Sequence, residues 1–452
     1  MARIDPAIFR QYDIRGKVPD ELDADAAYRI GLAFGTYLHR KGESMCLVGH
    51  DNRKSSDELR DAVVAGLLRT GCDILDVGLA TTPMFYYSRI LYNVNPGLMI
   101  TASHNPPEYN GFKVCFGQAT LYGDDLKKIC KMIEEEDFIK SSQGEISYAY
   151  PIFGYADMLE KKIKLPKKLK VAVDCGNGTA SIIVPQVLDL WGCDVLPIYC
   201  ESDPAFPNHF PDPVKAENMA GLKQMVLKEK ADLGLGFDGD GDRLGVVDNK
   251  GNIIWGDTMM VLFWREILPK YPGIDCIVEV KCSEALADEI KRLGGRPFFY
   301  KTGHSLIKAK MHELNLPFTG EMSGHMFFAD EYYGFDDALY SAGRLLRILS
   351  NSGSSLSHLL SDVPAYVSTP EIRAKSTDSE KFTIVENARK YFTDKGCRII
   401  DIDGVRAYLD DGWCLARASN TGPQVILRAE SKTQNGLKSI LAELHKAVPL
   451  KF

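Results

Sequence analysis

A strand–helix–strand pattern occurs three times in this sequence, and that repeat constrains the fold more than any other feature. Residues 45–78 read as an apolar strand, a polar turn and a helix, then Gly71-Cys72-Asp73 and a second apolar strand. Residues 169–199 follow the same order, with VAVDCGNG leading into a helix, then Gly192-Cys193-Asp194 and VLPIY. Residues 275–300 do so again, as CIVEVKCS, a helix, Gly294-Gly295-Arg296 and PFFY. Each copy is the unit from which mostly parallel, helix-covered sheets are built. The tail breaks the pattern. A helix-like stretch at 380–394 precedes the short strands RIIDIDG, VRAYLDD, WCLARAS and QVILRAE, and 433–447 closes as a helix, which is an α+β arrangement. The expected fold class is therefore α/β with four domains: three similar α/β/α mixed-sheet domains and a final α+β domain. Their expected extents are 1–149, 150–252, 253–364 and 365–452. NSGSSLS at 351–357 and VPAYVSTP at 363–370 are the linker candidates, so deleting 365–452 is expected to leave a soluble three-domain fragment.

Charge and composition narrow the function classes. A formal net charge of -7 argues against a nucleic-acid binder, which needs a basic surface, but a local cluster of Arg and Lys can still hold a small anion. The start of the chain, MARIDPAIFRQYDIRG, carries charges where a secretory signal needs a continuous apolar core. No stretch approaches the roughly 20 apolar residues that span a bilayer. The 11 cysteines show no C-x-x-C spacing and often sit in apolar strand-like segments, as at Cys46, Cys175 and Cys276. A reducing cytoplasm is the expected location.

Four loops carry candidate chemistry. In GLMITASHNPPEYNGFK, residues 97–113, an apolar strand runs into a polar loop that places Ser103 and His104 at its end. Read alone, Ser103 is more simply a capping serine in an ordinary turn. No G-x-S-x-G elbow surrounds it, which argues against a triad hydrolase. In ADLGLGFDGDGDRLGVV, residues 231–247, Asp238, Asp240 and Asp242 alternate with glycines, a pattern that converges oxygen ligands on one hard cation. A calcium EF-hand is excluded, because Arg243 stands where that loop needs glycine and Asn249 where it needs glutamate. Three carboxylates leave room for a phosphoryl oxygen and so suit Mg²⁺. In FTGEMSGH, residues 318–325, Glu321 and Ser323 are of the type that grips vicinal sugar hydroxyls, though a solvated turn fits as well. In LARASNTGP, residues 415–423, Arg417 with Ser419, Asn420 and Thr421 has the donors for a phosphate dianion, while a plain hairpin turn is the alternative.

Taken together the loops resemble those of the α-D-phosphohexomutases, the bacterial phosphomannomutase/phosphoglucomutase group in particular. The likeness spans the chain in family order: FRQYDIRG at 9–16, TASHNP at 101–106, NGFK at 110–113, DGDGDR at 238–243, KTGHSLIK at 301–308, GEMSGH at 320–325 and RASNT at 417–421. The resemblance implies a fourth domain like the TATA-binding-protein fold. It also implies a phosphorylated Ser103 that, with Asp238, Asp240 and Asp242, binds Mg²⁺. By the same likeness Arg15 and Lys113 neutralise the phosphoserine and assist proton transfer, His104 flanks it, and Arg243 stands beside the metal loop. Tyr12, Lys281, His304 and the loop Glu321, Met322, Ser323, Gly324 and His325 match sugar and phosphate contacts. Arg417, Ala418, Ser419, Asn420 and Thr421 match a phosphate clamp. The implied activity moves a phosphoryl group between O1 and O6 of a mannose or glucose phosphate, with a sugar 1,6-bisphosphate as intermediate and activator. A cytoplasmic monomer with no nucleic-acid or membrane partner is expected. His50 and Gly422 depart from the common family pattern. Met322, in place of the glutamine of phosphoglucosamine mutases, favours mannose and glucose. A phosphoglucosamine mutase and a catalytically silent sugar-phosphate binder are the alternatives.

Overall fold

The computed structural model describes residues 4–117, 119–420 and 422–452. Each repeat forms a parallel strand pair: Met45–His50 with Asp73–Leu79, Lys170–Asp174 with Asp194–Ile198, and Asp275–Glu279 with Arg296–Tyr300. The connecting helices are Ser56–Arg69, Val184–Leu190 and Glu284–Arg292. All three stop in the same way. Gly71, Gly192 and Gly294 have φ of 86°, 80° and 84°, a left-handed conformation that glycine adopts without a Cβ clash. The next residue then donates its N–H back to the helix: Cys72 to Leu67, Cys193 to Leu188 and Gly295 to Ile290, at 3.3, 3.0 and 2.9 Å. This is the long bond of a Schellman cap, which turns the chain into the following strand.

The chain divides into two compact units, Met1–Met259 with Ser323–Leu359, and Met260–Met322 with Leu360–Phe452. In the first unit a seven-stranded sheet runs in the order Ile14–Lys17, Tyr109–Phe116, Gly97–Ile100, Met45–His50, Asp73–Leu79 and Ile146–Tyr148, with Ala119–Thr120 beside Tyr109–Phe116. Helices Ala24–Arg40, Ser56–Arg69 and Asp124–Glu134 bury Phe34, Leu67 and Ile129 in one core with Val48, Ile74 and Ile100. A second sheet runs Ile253–Ile254, Leu244–Asp248, Leu233–Phe237, Lys170–Asp174 and Asp194–Ile198. The carboxyl ends of Gly97–Ile100 and Leu233–Phe237 deliver the loops that carry Ser103 and Asp238.

The second unit joins the third repeat to the antiparallel tail sheet. That sheet runs Val367–Ser368, Gln424–Ser431, Gly412–Ala418, Val405–Leu409 and Arg398–Ile400, with Ile372–Lys375 also paired to Gln424–Ser431. Side chains alternate across it. Ala407, Cys414, Ala416 and Leu427 share a core with Phe392 and Leu444 of helices Glu380–Asp394 and Gln434–Ala447. On the other face Trp413 and Leu415 bury Val280 of the third repeat.

A break between the two compact units falls after Leu359, between the two linker candidates, which are themselves partly built into regular structure. Asn351 and Ser352 end helix Ala338–Ser352, Leu356–Leu359 is helical, and Val367–Ser368 pairs into the tail sheet. The tail packs on the third repeat because its second sheet face is buried, with Arg406 0% exposed there.

Candidate active site

In the first unit, Ser103 lies just beyond strand Gly97–Ile100 with φ of 52°, and it is 3% exposed. Its Oγ donates to Asp238 Oδ2 at 2.8 Å and lies 3.2 Å from His104 Nδ1. The metal-loop candidate is the turn of a hairpin in which Phe237 faces Leu244. Asp238 Oδ1 accepts the N–H groups of Asp242 and Arg243, both at 3.0 Å, which folds the loop around that carboxylate. Gly239 is required by packing, since a Cβ there would lie 2.4 Å from Ser103 O. The two loops touch through backbone, so they hold each other in place.

Asp238, Asp240 and Asp242 are all 0% exposed, with ligand oxygens within 4.8 Å of one another. Lys113 Nζ donates to Asp240 Oδ2 at 2.7 Å and also contacts Asp242 Oδ2. Burial alone would pull the pKa of Lys113 down, but Asp240, Asp242 and Asp336 outweigh it and hold the ammonium above its ordinary value. Asp240 is pushed up by burial and then pulled below the usual carboxylate range by the charge and hydrogen bond of Lys113. Asp238 keeps an excess of negative surroundings: burial, then Asp242 and Asp240, push its carboxyl well up. Buried oxygens Asp240 Oδ1 and Asp242 Oδ1 accept no hydrogen bond among the described residues. A hard divalent cation meets both conditions, and the residues fit one.

Around this cluster, Arg15 donates to Asn105 Oδ1 at 2.8 Å and Asp13 Oδ2 at 2.6 Å. Arg243 Nε donates to His325 Nε2 at 2.9 Å, so the proton of a neutral His325 sits on Nδ1, 3.2 Å from Asp336 Oδ2 and 3.6 Å from Asp242 Oδ1. His325, read as a sugar contact, thus faces the carboxylate cluster. Tyr12 lies near enough to influence Arg243. Gly324, at φ of 92°, accepts the Leu244 N–H at 3.1 Å, and a Cβ there would lie 2.5 Å from Leu244 O. Ser323 precedes it and is half-buried.

The second unit holds the other candidates. Lys281 Nζ meets Glu371 Oε2 at 3.0 Å and lies 3.9 Å from Glu279 Oε1. Burial pulls the pKa of Lys281 down, but Glu279, Glu371 and Glu321 more than offset it. Glu371 is pushed up by burial and then brought down to about 2 by Lys281 and Arg373. Glu321 Oε1 accepts the Gly303 N–H at 2.8 Å, which ties the GEMSGH loop to the turn before His304. Met322 Sδ is in contact with the guanidinium of Arg428. Arg417 Nε donates to Asp403 Oδ2 at 3.0 Å, and the same oxygen accepts the Thr302 N–H at 3.0 Å. Ala418 ends its strand, and the Ser419 N–H donates to Gln424 O at 2.9 Å. Lys381, a buried lysine, donates to Ser419 O at 2.8 Å and so shapes the loop that carries Asn420. Thr421 lies outside the described residues.

Several of these residues escaped sequence reasoning. Arg53, in GHDNRKSS, donates to the carbonyls of Ser103, Asn105, Pro106 and Tyr109 and so holds the serine loop. Its signal was its position after a strand that ends at the same sheet edge. Asp336, Glu279, Glu371, Asp403 and Lys381 carried no motif.

A hydroxyl held against buried carboxylates, with a lysine and an arginine alongside, is the inventory of a phosphoryl-transfer site. Comparison with known proteins gives the family. Models of phosphoglucomutase/phosphomannomutase match end to end: alpha/beta/alpha domain I at 6–140, domain II at 154–251, domain III at 255–366 and the C-terminal domain at 371–447. The phosphomannomutase/phosphoglucomutase of Pseudomonas aeruginosa is 45% identical over 96% of this chain and 94% of its own. The phosphoglucomutase of Neisseria gonorrhoeae is 40% identical, over 97% and 96%. A solved phosphoglucomutase/phosphomannomutase family protein from Burkholderia thailandensis superposes with a TM-score of 0.93 at 38% identity, covering 99% of this chain and 100% of that one. The chain belongs to the phosphoglucomutase/phosphomannomutase family of the α-D-phosphohexomutases and has its four-domain α/β fold.

Proposed function

We propose that this hexose-phosphate mutase interconverts the 1- and 6-phosphates of mannose and glucose through a phosphorylated Ser103. The observation that carries the reading is Ser103 Oγ at 2.8 Å from Asp238 Oδ2, inside a buried carboxylate cluster paired with Lys113. The phosphoryl group leaves Ser103 Oγ for the free O1 or O6 of a hexose monophosphate, giving a sugar 1,6-bisphosphate. The bisphosphate reorients and returns its other phosphoryl group to Ser103. The proton of the attacking sugar hydroxyl passes to the departing Ser103 Oγ, and His104 Nδ1, 3.2 Å from Oγ, is within reach of that proton. Lys113, held protonated by its carboxylates, and Arg15 supply fixed positive charge to the phosphoserine. Asp238, Asp240 and Asp242 would hold Mg²⁺, which when bound offsets charge on the phosphoryl oxygens. Arg417, Ser419, Asn420 and Thr421 take the phosphate that is not reacting, and binding energy from that remote group positions the reacting end. Lys281 and His304 add contacts to the sugar phosphate. Glu321 and Ser323 grip O3 and O4, and loose contact at O2 admits both epimers.

The 11 cysteines are free thiols, in keeping with a cytoplasmic enzyme, and among the described residues no helix is long and apolar enough to cross a membrane. We place the domain limits at 1–149, 150–252, 253–364 and 365–452 and treat the enzyme as a monomer. The test is turnover of mannose 1-phosphate, glucose 1-phosphate and glucosamine 6-phosphate side by side, with transfer of radiolabel from glucose 1,6-bisphosphate to protein. Labelling should vanish in Ser103→Ala while the variant stays folded. Equal labelling of Ser103→Ala would reject the phosphoserine, and a preference for glucosamine 6-phosphate would reject the sugar assignment.

A further inference from the structure

In the third repeat one buried carboxylate reaches three loops. Strands Asp275–Glu279 and Arg296–Tyr300 run parallel with Glu279 opposite Tyr300, so the chain leaves both at the same edge. Strand Phe318–Gly320 lies beside them, with Thr319 Oγ1 donating to Ile277 O at 3.3 Å. The three following loops carry Lys281, His304, and Glu321 with Met322.

Glu279 is 0% exposed. Its Oε1 accepts the Lys281 N–H at 3.3 Å and the Thr302 hydroxyl, and its Oε2 accepts the Met322 N–H at 3.3 Å. Each of the three loops therefore takes at least one bond from a single side chain. The Lys281 turn is also held from its carbonyl side. Arg406 donates to Val280 O and Cys282 O, both at 2.8 Å, and Arg428 donates to Lys281 O. Burying a carboxylate costs several kcal/mol, and a purely apolar contact would close the loops more cheaply. What an apolar side chain lacks is the acceptor pair that fixes these N–H and O–H groups in register.

We infer that Glu279 is a positioning residue for sugar-phosphate recognition, acting through Lys281, Thr302 and Met322. This rests on the mutase reading and names a residue that sets its substrate contacts. A recognition loop loosened by about 1 Å can cost roughly 100-fold in rate.

The test compares full-length wild type with Glu279→Gln, which keeps the shape but puts an amide donor at one of the two positions where these groups need an acceptor. Expected for Glu279→Gln is a fall in kcat/KM of about 100-fold, carried by KM, on both mannose 1-phosphate and glucose 1-phosphate. Mg²⁺ affinity, set by residues of the other unit, should not change. The penalties wild type shows for 3-deoxy- and 4-deoxyglucose 1-phosphate should shrink in the variant, because a loosened loop no longer reads those hydroxyls. Glu279→Asp, which keeps the charge on a shorter arm, should recover part of the loss and gives the same reading if Glu279→Gln does not fold. Wild-type KM with undiminished deoxy-sugar penalties in a folded variant would overturn the assignment. Calorimetric binding of glucose 6-phosphate separates the two levels of the argument. Tight binding without turnover in wild type would reject the mutase reading, while weakened binding in Glu279→Gln would still support the positioning role.

Discussion

Replacing Arg53 with lysine tests whether the serine loop is held from behind. Arg53 is buried and donates to five acceptors: Asp51 Oδ2 at 3.1 Å, and the carbonyls of Pro106, Tyr109, Ser103 and Asn105 at 2.7, 3.0, 2.8 and 2.7 Å. A lysine ammonium has three donors, so at least two acceptors lose their partner. At about 1–3 kcal/mol for each unsatisfied group, the loss is about 2–6 kcal/mol. The bonds to Asn105, Pro106 and Tyr109 are only part-buried, so water relieves some of the cost and the lower end, about 2 kcal/mol, applies. Spent on the loop alone, that lowers the population of the competent Ser103 conformation about 30-fold, since about 1.4 kcal/mol is tenfold. The assay is kcat/KM on glucose 1-phosphate together with the rate of label transfer from glucose 1,6-bisphosphate. Both should fall by about that factor while Mg²⁺ still binds. If Arg53→Lys keeps wild-type rates and wild-type thermal stability, the loop is not held by this arginine and the reasoning fails.

Two further outcomes follow from single contacts. His209 presents Nε2 to Asp174 Oδ2 at 3.0 Å and Nδ1 to Phe210 O at 2.9 Å, an arrangement that favours the doubly protonated ring. Burial lowers its pKa, but the hydrogen bond and charge of Asp174 raise it above the ordinary value. The stabilisation is then fully present below the unfolded value of about 6.5 and is lost as pH rises through the folded one. Denaturant unfolding from pH 6 to 9 should show that decline in wild type and a flatter profile in His209→Gln; identical profiles would rule out the pair. Arg417→Ala should raise KM and lower kcat/KM by about 2–3 kcal/mol, one charge-assisted contact, measured with glucose 1-phosphate, and unchanged kinetics would remove Arg417 from the phosphate clamp.

What the sequence disclosed, and what it withheld, divides by the range of the interaction. The repeated glycines at 71, 192 and 294 were legible because a helix stop is local: one residue with positive φ and one bond back into its own helix. The Asp238 loop was legible for the same reason, since alternate carboxylates on a hairpin turn converge whatever surrounds them. Arg53 was not, because four of its acceptors lie more than 49 residues away in sequence. His325 sat in a motif that pointed to sugar, yet its ring is aimed by Arg243 and Asp336, neither of which the motif contains. Glycine, serine and proline at 351–370 mark the break after Leu359, but composition cannot report that a sheet strand waits to pair with Val367–Ser368.

That last point changes what truncation at residue 365 should do. Sequence alone predicts a clean three-domain fragment, whereas the tail sheet is part of the packing of the third repeat. Arg406 stacks 3.5 Å from Trp413 and 4.2 Å from Phe299 while bonding the carbonyls of Val280 and Cys282 and the carboxylate of Glu284. Trp413 and Leu415 bury Val280. Deleting 365–452 removes all of these partners at once. It leaves the Lys281 turn held only by Glu279 and by the Val280 N–H bond to Tyr300 O, and exposes Val280 and Phe299 to water. Water can replace the bonds to the freed carbonyls, but nothing replaces the apolar contact, which is worth about 25 cal/mol for each Å² uncovered. The fragment should therefore keep its buried carboxylate cluster, which lies in the other compact unit, and lose order in 275–300. Amide hydrogen exchange reads this directly: strands Asp275–Glu279 and Arg296–Tyr300 should lose most of their protection, while Leu233–Phe237 keeps its own. Full protection of both third-repeat strands in the fragment would show that the repeat folds without the tail and that the buried arginines only fasten two finished bodies together.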